Sequence, residues 1–462
     1  MEQQYLSVID QKAELLEDVA NYLWDNPETA FTEFKSAAYL CEVLRKEGFE
    51  VKENLADIKT AFSGTYGSGK PVVGILGEFD ALSGMSQEAG CLEQKSIGGV
   101  NGHGCGHHLY AAGALGAAIA VKKWLESTGN SGTVVFFGTP GEEGGSGKSF
   151  MARDGVFDGL DAAFTWHPSS DNKLWTDRSL ANYQILYKFD GTPSHASMRP
   201  EVGRSALDAV ELMNIGVQFL REHMPNFCRV HYAITDAGGM SPNVVQSHAE
   251  VLYLIRGADN GTVKELYHRV NDIAKGAALM TSTKESHTFI KACSNLVHNT
   301  VLRKVIYEKL VEIAPPEMDT DDLEIARKFS EIALAGVPGS DPENPIDLDI
   351  QDYTEEEPQD YASTDVGDVS WVCPTAQILT ATFVRGTPPH TWQRVSQGKL
   401  AQAHKMTRYA AKVLAASTVE LMSSPELVAR AQAEFRNRVG PAGYEAPIPK
   451  EVSPKPMDSL KK

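Results

Sequence analysis

The chain has no Cys-x-x-Cys pair, no excess of basic residues and no apolar run long enough to cross a bilayer. Each absence closes off a class of function. Its six cysteines, Cys41, Cys91, Cys105, Cys228, Cys293 and Cys373, are scattered, so neither a zinc ribbon nor a thioredoxin-type redox pair is available, and most are expected reduced and buried. Sixty-one acidic residues outnumber 43 basic ones for a formal net charge of -18, with a pI near 5.2. That balance opposes binding to nucleic acid or to an anionic membrane surface. The opening MEQQYLSVIDQKAELLEDVA lacks the basic start and apolar core of a secretion signal, which predicts a cytoplasmic protein. The longest apolar run, Ala111 to Val121, is short for a membrane span and rich in small residues; it predicts a tightly packed interior helix.

What is present reads as a soluble α/β protein. At 462 residues, with 42% hydrophobic and 23% charged, the chain has room for roughly two or three domains. Helical spacing runs over residues 7 to 24 and again from the turn at Asn26-Pro27 to Gly48. Apolar stretches without alternation follow at 71 to 82, 133 to 140, 161 to 167 and 376 to 386, the pattern of strands buried on both faces. Strands and helices alternate, which predicts a catalytic domain with a largely parallel sheet flanked by helices. Between 183 and 294 the order changes to β-α-β-β-α-β, a split ferredoxin-like α+β pattern. The expected division is 1-182 with 295-462 as one domain and 183-294 as an inserted one. Residues 336 to 361, acidic and proline-containing, predict a solvated loop, and the end from Arg436 an irregular tail.

Chemistry gathers where the strands end. Open α/β sheets bind ligands outside the carboxyl ends of their strands. Asp80 follows the first apolar strand, Glu142 and Glu143 the second, His167 ends the third and His390 follows the last. Cys105 and His107, in NGHGCGHH, stand where a loop enters the alanine-rich helix. Thiolate, imidazole and carboxylate on successive elements predict a metal centre, suited to zinc and compatible with manganese. In an extended segment the neighbours Glu142 and Glu143 would point apart, one to metal and one to a water, a division into ligand and general base. His195, in GTPSHASMRPEVG, reads from its surroundings as a surface or turn residue.

Together Asp80, Gly-Cys-Gly-His at 104 to 107, Pro-Gly-Glu-Glu-Gly-Gly at 140 to 145, Trp166-His167-Pro168, Pro193-Ser194-His195-Ala196 and Pro389-His390 resemble the M20 metallopeptidase and amidohydrolase family. The narrower likeness is to its aminoacylase-like branch, and GRSALDAV, SPNVVQ, STDVGDVSW and GTPPHTWQ carry it toward members that hydrolyse p-aminobenzoyl-glutamate. The resemblance implies two divalent metal ions per chain, Mn2+ or Zn2+, held by Cys105, His107, Glu143, His167 and His390, with Cys105 in the bridging place. It makes Glu142 the general base and sets Asp80 behind the ligands, fixing an imidazole. His195 would reach the site of a partner subunit and stabilise the developing oxyanion, and Asn243 and Arg256 would lie near the substrate carboxylate. The inserted domain would serve as lid and dimerisation unit, in a homodimer or in a heteromer with a homologous A subunit. His108 departs from the family pattern, as relatives carry Asn or Asp there; it is expected to donate a hydrogen bond behind the metals. The implied substrate is a small acyl amino acid, with other acyl groups, indole conjugates and dipeptides left open.

Two rival readings differ in class. A cysteine hydrolase using Cys105 and His107 leaves Glu142, Glu143, His167 and His390 without a role. A partner subunit that binds without cleaving has no need of a poised carboxylate such as Glu142.

Overall fold

Runs that are apolar at every position form strands covered on both faces. The computed structural model describes residues 4–456 and Ser459. In chain order its strands are β1 (Glu50–Glu53), β2 (Phe62–Ser68), β3 (Val72–Gly77), β4 (Leu82–Ser83), β5 (Asn101–Gly102), β6 (Gly132–Gly138) and β7 (Ala162–Ser169). They continue with β8 (Lys173–Leu174), β9 (Ala181–Asp190), β10 (Arg229–Asp236), β11 (His248–Gly257), β12 (Lys284–Cys293) and β13 (Thr375–Ala381). A seven-stranded sheet has the order β1-β2-β6-β3-β7-β13-β8. Its centre, β6, β3, β7 and β13, is parallel, and β1, β2 and β8 join by antiparallel pairing.

The second sheet, β10-β11-β9-β12, is antiparallel throughout. Helices Ala206–Arg221 and Asn260–Thr281 pack on it, capped by Ser205 and Asp259 side chains that accept from Asp208 and Thr262 backbone N–H groups. The helices fall after β9 and β11, so the chain order is the expected β-α-β-β-α-β.

Helix His107–Thr128 lies against the large sheet and is enclosed by helices Ala13–Asp25 and Ala401–Ser423. Every residue from Leu109 to Val121 is buried. The glycines set how close it comes. A Cβ on Gly113 would stand 2.7 Å from the Trp166 ring, and one on Gly116 would stand 2.9 Å from Leu16. Trp166 Nε1 donates to the Tyr110 carbonyl at 3.1 Å, locking β7 to the helix.

Three local expectations need correction. The stretch 336 to 361 is not wholly solvated: Ile346 is 4% exposed, and Leu348, Ile350 and Tyr353 pack against the large core. The last apolar strand stops at Ala381, although Phe383 and Val384 remain buried. Residues 436 to 439 finish a helix, Pro425–Val439, so the irregular tail begins only at Gly440. No described helix is long and apolar enough to cross a membrane.

Alanine normally stabilises a helix over glycine by about 1 kcal/mol, whereas overpacking costs about 1–3 kcal/mol. Gly113→Ala is therefore expected to lower the denaturant midpoint. Gly276→Ala, with nothing within 4 Å of the added Cβ, is expected to raise it.

A second expectation concerns acid. His298 is 4% exposed and donates from Nε2 to the Asp177 carbonyl at 3.1 Å. Burial, with Arg303 beside it, pushes its pKa down to about 4. The neutral ring stabilises the fold above its unfolded pKa of about 6.5, and that contribution, about 3 kcal/mol, is lost as pH falls from 6.5 toward 4. Melting temperature should fall as pH drops from 6.5 toward 4, less steeply in His298→Gln.

Candidate metal and catalytic site

The carboxyl ends of the parallel strands converge on the mouth of the His107 helix. β3 runs out into Glu78-Phe79-Asp80, and both acids flank one imidazole. His107 Nδ1 donates to Asp80 Oδ1 at 2.9 Å, while Glu78 Oε2 lies 3.1 Å from Nε2. The other Asp80 oxygen accepts the Glu143 backbone N–H at 2.9 Å, so one carboxylate orients both a histidine and the acidic turn after β6.

Across the helix mouth, Cys105 Sγ is 3.5 Å from His167 Nε2, and His167 Nδ1 donates to the Pro168 carbonyl at 2.8 Å. Both rings spend the Nδ1 proton elsewhere, which leaves each Nε2 facing the cluster. Glu143 Oε1 stands 3.2 Å from His390 Nε2. His390 itself has φ 56°, a left-handed backbone costly for a non-glycine residue, fixed by its N–H donating to the Gly104 carbonyl at 3.0 Å.

These residues form three sets, Cys105-His107-His167, Cys105-Glu143-His390 and Glu78-His107-Glu142, each with its ligand atoms within 4.8 Å of one another. Cys105 is common to the first two, and His107 to the first and third. His107 Nε2 and Glu143 Oε1 are buried and make no hydrogen bond, although each faces a neighbour at 3.1 and 3.2 Å. Atoms bound to one ion at about 2.1 Å lie roughly 3.0 to 3.4 Å apart, so such contacts fit a shared cation.

The charges lean on one another. Burial works against the Cys105 thiolate, but His167 and His107 hold the thiol well below its usual range. Burial also works against a charged His107, and Cys105, Glu78 and Asp80 nevertheless raise it well above the ordinary value. Burial and Cys105 push Glu143 up to about 7. The Cys105 sulfur and the Glu143 carboxylate beside it raise His390 to about 10. Burial, then Glu78 and Glu143, raises Glu142 well above the carboxylate range.

A family model for peptidase family M20/M25/M40 matches residues 74–361. The chain is 46% identical over 460 residues to the B subunit of p-aminobenzoyl-glutamate hydrolase from Escherichia coli strain K12, covering 95% of this chain and 96% of that protein. The chain belongs to peptidase family M20/M25/M40. Within this M20 family it is also 27% identical to the Xaa-Arg dipeptidase of Mus musculus, over 93% of this chain and 90% of that one. The aminobenzoyl-glutamate utilization protein from Klebsiella pneumoniae shares its fold, with TM-score 0.59 at 17% identity over 88% of this chain and 98% of that one. The chain is thus a metal-dependent hydrolase of amide bonds.

The M20 chain departs from expectation at the acidic pair and at His108. Residues 142 to 145 form a turn, closed by Gly145 N–H donating to the Gly141 carbonyl at 2.8 Å, and are not extended. The turn still separates the two side chains. Glu143 faces Cys105 and His390, and Glu142 groups with Glu78 and His107. His108 does not donate behind the metal ligands. It turns to the far side of the helix, bonds the Gly398 carbonyl from Nε2 at 2.9 Å and lies 4.9 Å, centroid to centroid, from the His103 ring.

His195, Asn243 and Arg256 sit on the second-sheet unit. His195 is exposed, and its Nδ1 accepts from the Ser197 and Met198 N–H groups at 3.3 and 3.2 Å. That leaves Nε2–H as an outward donor. Asn243 is exposed, its carbonyl accepting the Ala196 N–H at 2.9 Å. Arg256 reaches Ser363 Oγ at 2.7 Å, in the STDVGDVSW segment. Among the described residues, none of the three hydrogen-bonds to the Cys105 cluster of its own chain.

Sequence reading passed over Glu78, Lys148 and Asp365. Glu78 had a signal, since it stands two residues before Asp80 at the end of an apolar strand, where alternate positions share a face. Lys148 and Asp365 lie in motifs already conspicuous, GGSGKSFM and STDVGDVSW, but their pairing spans 217 residues of sequence.

Asp80→Asn tests the support of the ligands. Loss of this orienting carboxylate is expected to weaken metal binding about 10- to 100-fold with the fold retained, measured by chelator competition alongside far-UV circular dichroism.

Proposed function

We propose that the chain hydrolyses the amide bond of a small N-acyl amino acid, p-aminobenzoyl-glutamate first among them, releasing p-aminobenzoate and glutamate. The observation that carries this reading is Cys105, common to two ligand sets, with Glu142 outside those two and grouped with Glu78 beside His107. The 46% identity to the Escherichia coli protein of that named activity supports the choice of substrate.

Cys105, His107 and His167 would hold one divalent ion, and Cys105, Glu143 and His390 the other, either Mn2+ or Zn2+. Bound there, the ions supply Lewis acidity to the amide carbonyl and to the attacking water. Glu142 takes the proton of that water and returns it to the leaving amine, a task suited to a carboxylate whose proton affinity burial has raised. Asp80 holds His107 in the Nδ1–H form and keeps the Glu143 turn in register.

His195 has the donor form needed to stabilise an oxyanion through Nε2–H. Its exposed position suits action on the site of a second subunit, with Asn243 and Arg256 near the substrate carboxylate. The unit 183-294 would then act as lid and dimerisation surface in a homodimer, or in a heteromer with a homologous A subunit. The heteromer has support in the Escherichia coli hydrolase, whose A and B subunits both resemble this chain.

The test is release of p-aminobenzoate by the purified chain supplied with Mn2+ or Zn2+. Glu142→Ala is expected to lose about 10²- to 10⁴-fold in rate while keeping its metal, and chelation is expected to abolish turnover reversibly. Turnover of a dipeptide in place of the acyl-glutamate would transfer the chemistry to the activity named for the mouse relative. Full activity without bound metal would sink the reading.

A further inference from the structure

Beneath the acidic turn lies a group of charges that the hydrolytic reading leaves unused. Lys148, 0% exposed, opens the helix Gly147–Arg153 immediately after that turn. Its Nζ donates to Asp365 Oδ1 at 2.7 Å and to Glu78 Oε1 at 2.6 Å, and its backbone N–H donates to Asp365 Oδ2 at 2.9 Å. Asp365, 2% exposed, therefore grips the same residue by main chain and side chain at once. Next along the chain, Ser149 Oγ donates to Asp368 Oδ2 at 2.5 Å, and Asp368 also accepts the Ser294 N–H at 2.9 Å just past β12.

A buried lysine between two carboxylates is costly to desolvate unless its geometry is fully satisfied, and it persists where something requires that geometry. Here the turn is clamped at both ends. Asp80 holds its Glu143 N–H, and Asp365 holds Lys148 beyond Gly147, where an added Cβ would meet the Pro140 carbonyl at 1.9 Å. Glu142 immediately precedes the first clamp, and Gly144 to Gly147 lie between the two. Through Glu78, the lysine also reaches the far side of His107.

We propose that Lys148 and Asp365 are positioning residues for the Glu142–Glu143 turn. They set where Glu142 stands relative to the reacting amide without touching substrate or metal. The inference rests on the reading of Glu142 as proton carrier.

The experiment compares wild type with Asp365→Asn and Asp365→Glu. The first removes the charge, and the second keeps it while displacing the carboxylate by one methylene, so folding is retained if charge alone maintains it. Each is measured for kcat and KM on p-aminobenzoyl-glutamate, Mn2+ bound per chain, melting temperature and crystal structure. The expected result is a tenfold or greater fall in kcat in both, KM within about threefold, unchanged Mn2+ content and a displaced 141 to 145 turn. Unchanged kcat per bound Mn2+ overturns the proposal, as does a fall in kcat that only tracks lost Mn2+ or lost folded protein. If wild type itself turns over no acyl amino acid, the functional reading fails separately. The crystal structures then decide the positioning role, and an unmoved turn in both variants overturns it.

Discussion

How near the His107 helix comes to the sheet beneath it governs the rest of the structure. Glycine at 113 lets the Trp166 ring lie where a methyl group would otherwise stand, and the tryptophan then hydrogen-bonds the helix backbone. Because Trp166 precedes His167 in β7, this contact brings that histidine to the Cys105 side of the helix mouth. Farther along, Gly116 admits Leu16 and Ala411, so the helix is seated from above as firmly as from below. A larger residue at either position would lift the whole helix, and the cysteine and histidine at its start would move with it. The alanine and glycine content is thus a positioning device for residues that lie outside the apolar run.

Close seating concentrates negative charge at the strand ends. Glu78, Asp80, Glu142, Glu143 and the Cys105 sulfur share a small, largely buried volume. Buried cations of the same chain oppose them: Lys148 from beneath the turn, and Arg394, whose guanidinium stacks 4.7 Å over Phe383 and feels Cys105 and Glu143. Buried like charges repel strongly where water cannot screen them, which is why the cluster as a whole suits cations better than any one residue would. The overall acidity of the chain is a separate matter of its surface and solubility.

Much of this was legible in the amino-acid order. Strands covered on both faces announce themselves as unbroken apolar runs, and those are the four at the centre of the large sheet. The β-α-β-β-α-β unit was equally plain, because its two helices are long and fall between runs that read as strands. Strands β1 and β2 were not visible, since EVKE is nearly all charged and FSGTYGS is rich in small polar residues; β2 exists through pairing with β6, a long-range contact, and β1 through pairing with β2. The residues that gather at the Cys105 cluster could be named because ligand-type side chains are rare after apolar strands. His108 was misplaced for a simple geometric reason: successive residues on a helix point about 100° apart, so it could not share a direction with His107. Lys148 and Asp365 were out of reach because only the fold makes them neighbours.

Cys105 belongs to two ligand sets, and this has a bearing on how the protein would fail under oxidative stress. A thiol whose proton affinity His167 and His107 lower, on a residue only partly covered, is open to peroxide, and conversion to sulfenic acid would remove a ligand from each of the two sets that share Cys105 in a single event. Damage would then be all or none for each molecule, leaving a population divided between intact and inert chains rather than a population of weakened ones. Because a small thiol condenses with the sulfenic acid to a mixed disulfide and water, and a second thiol then reduces that disulfide, the same atom also offers a route to recovery.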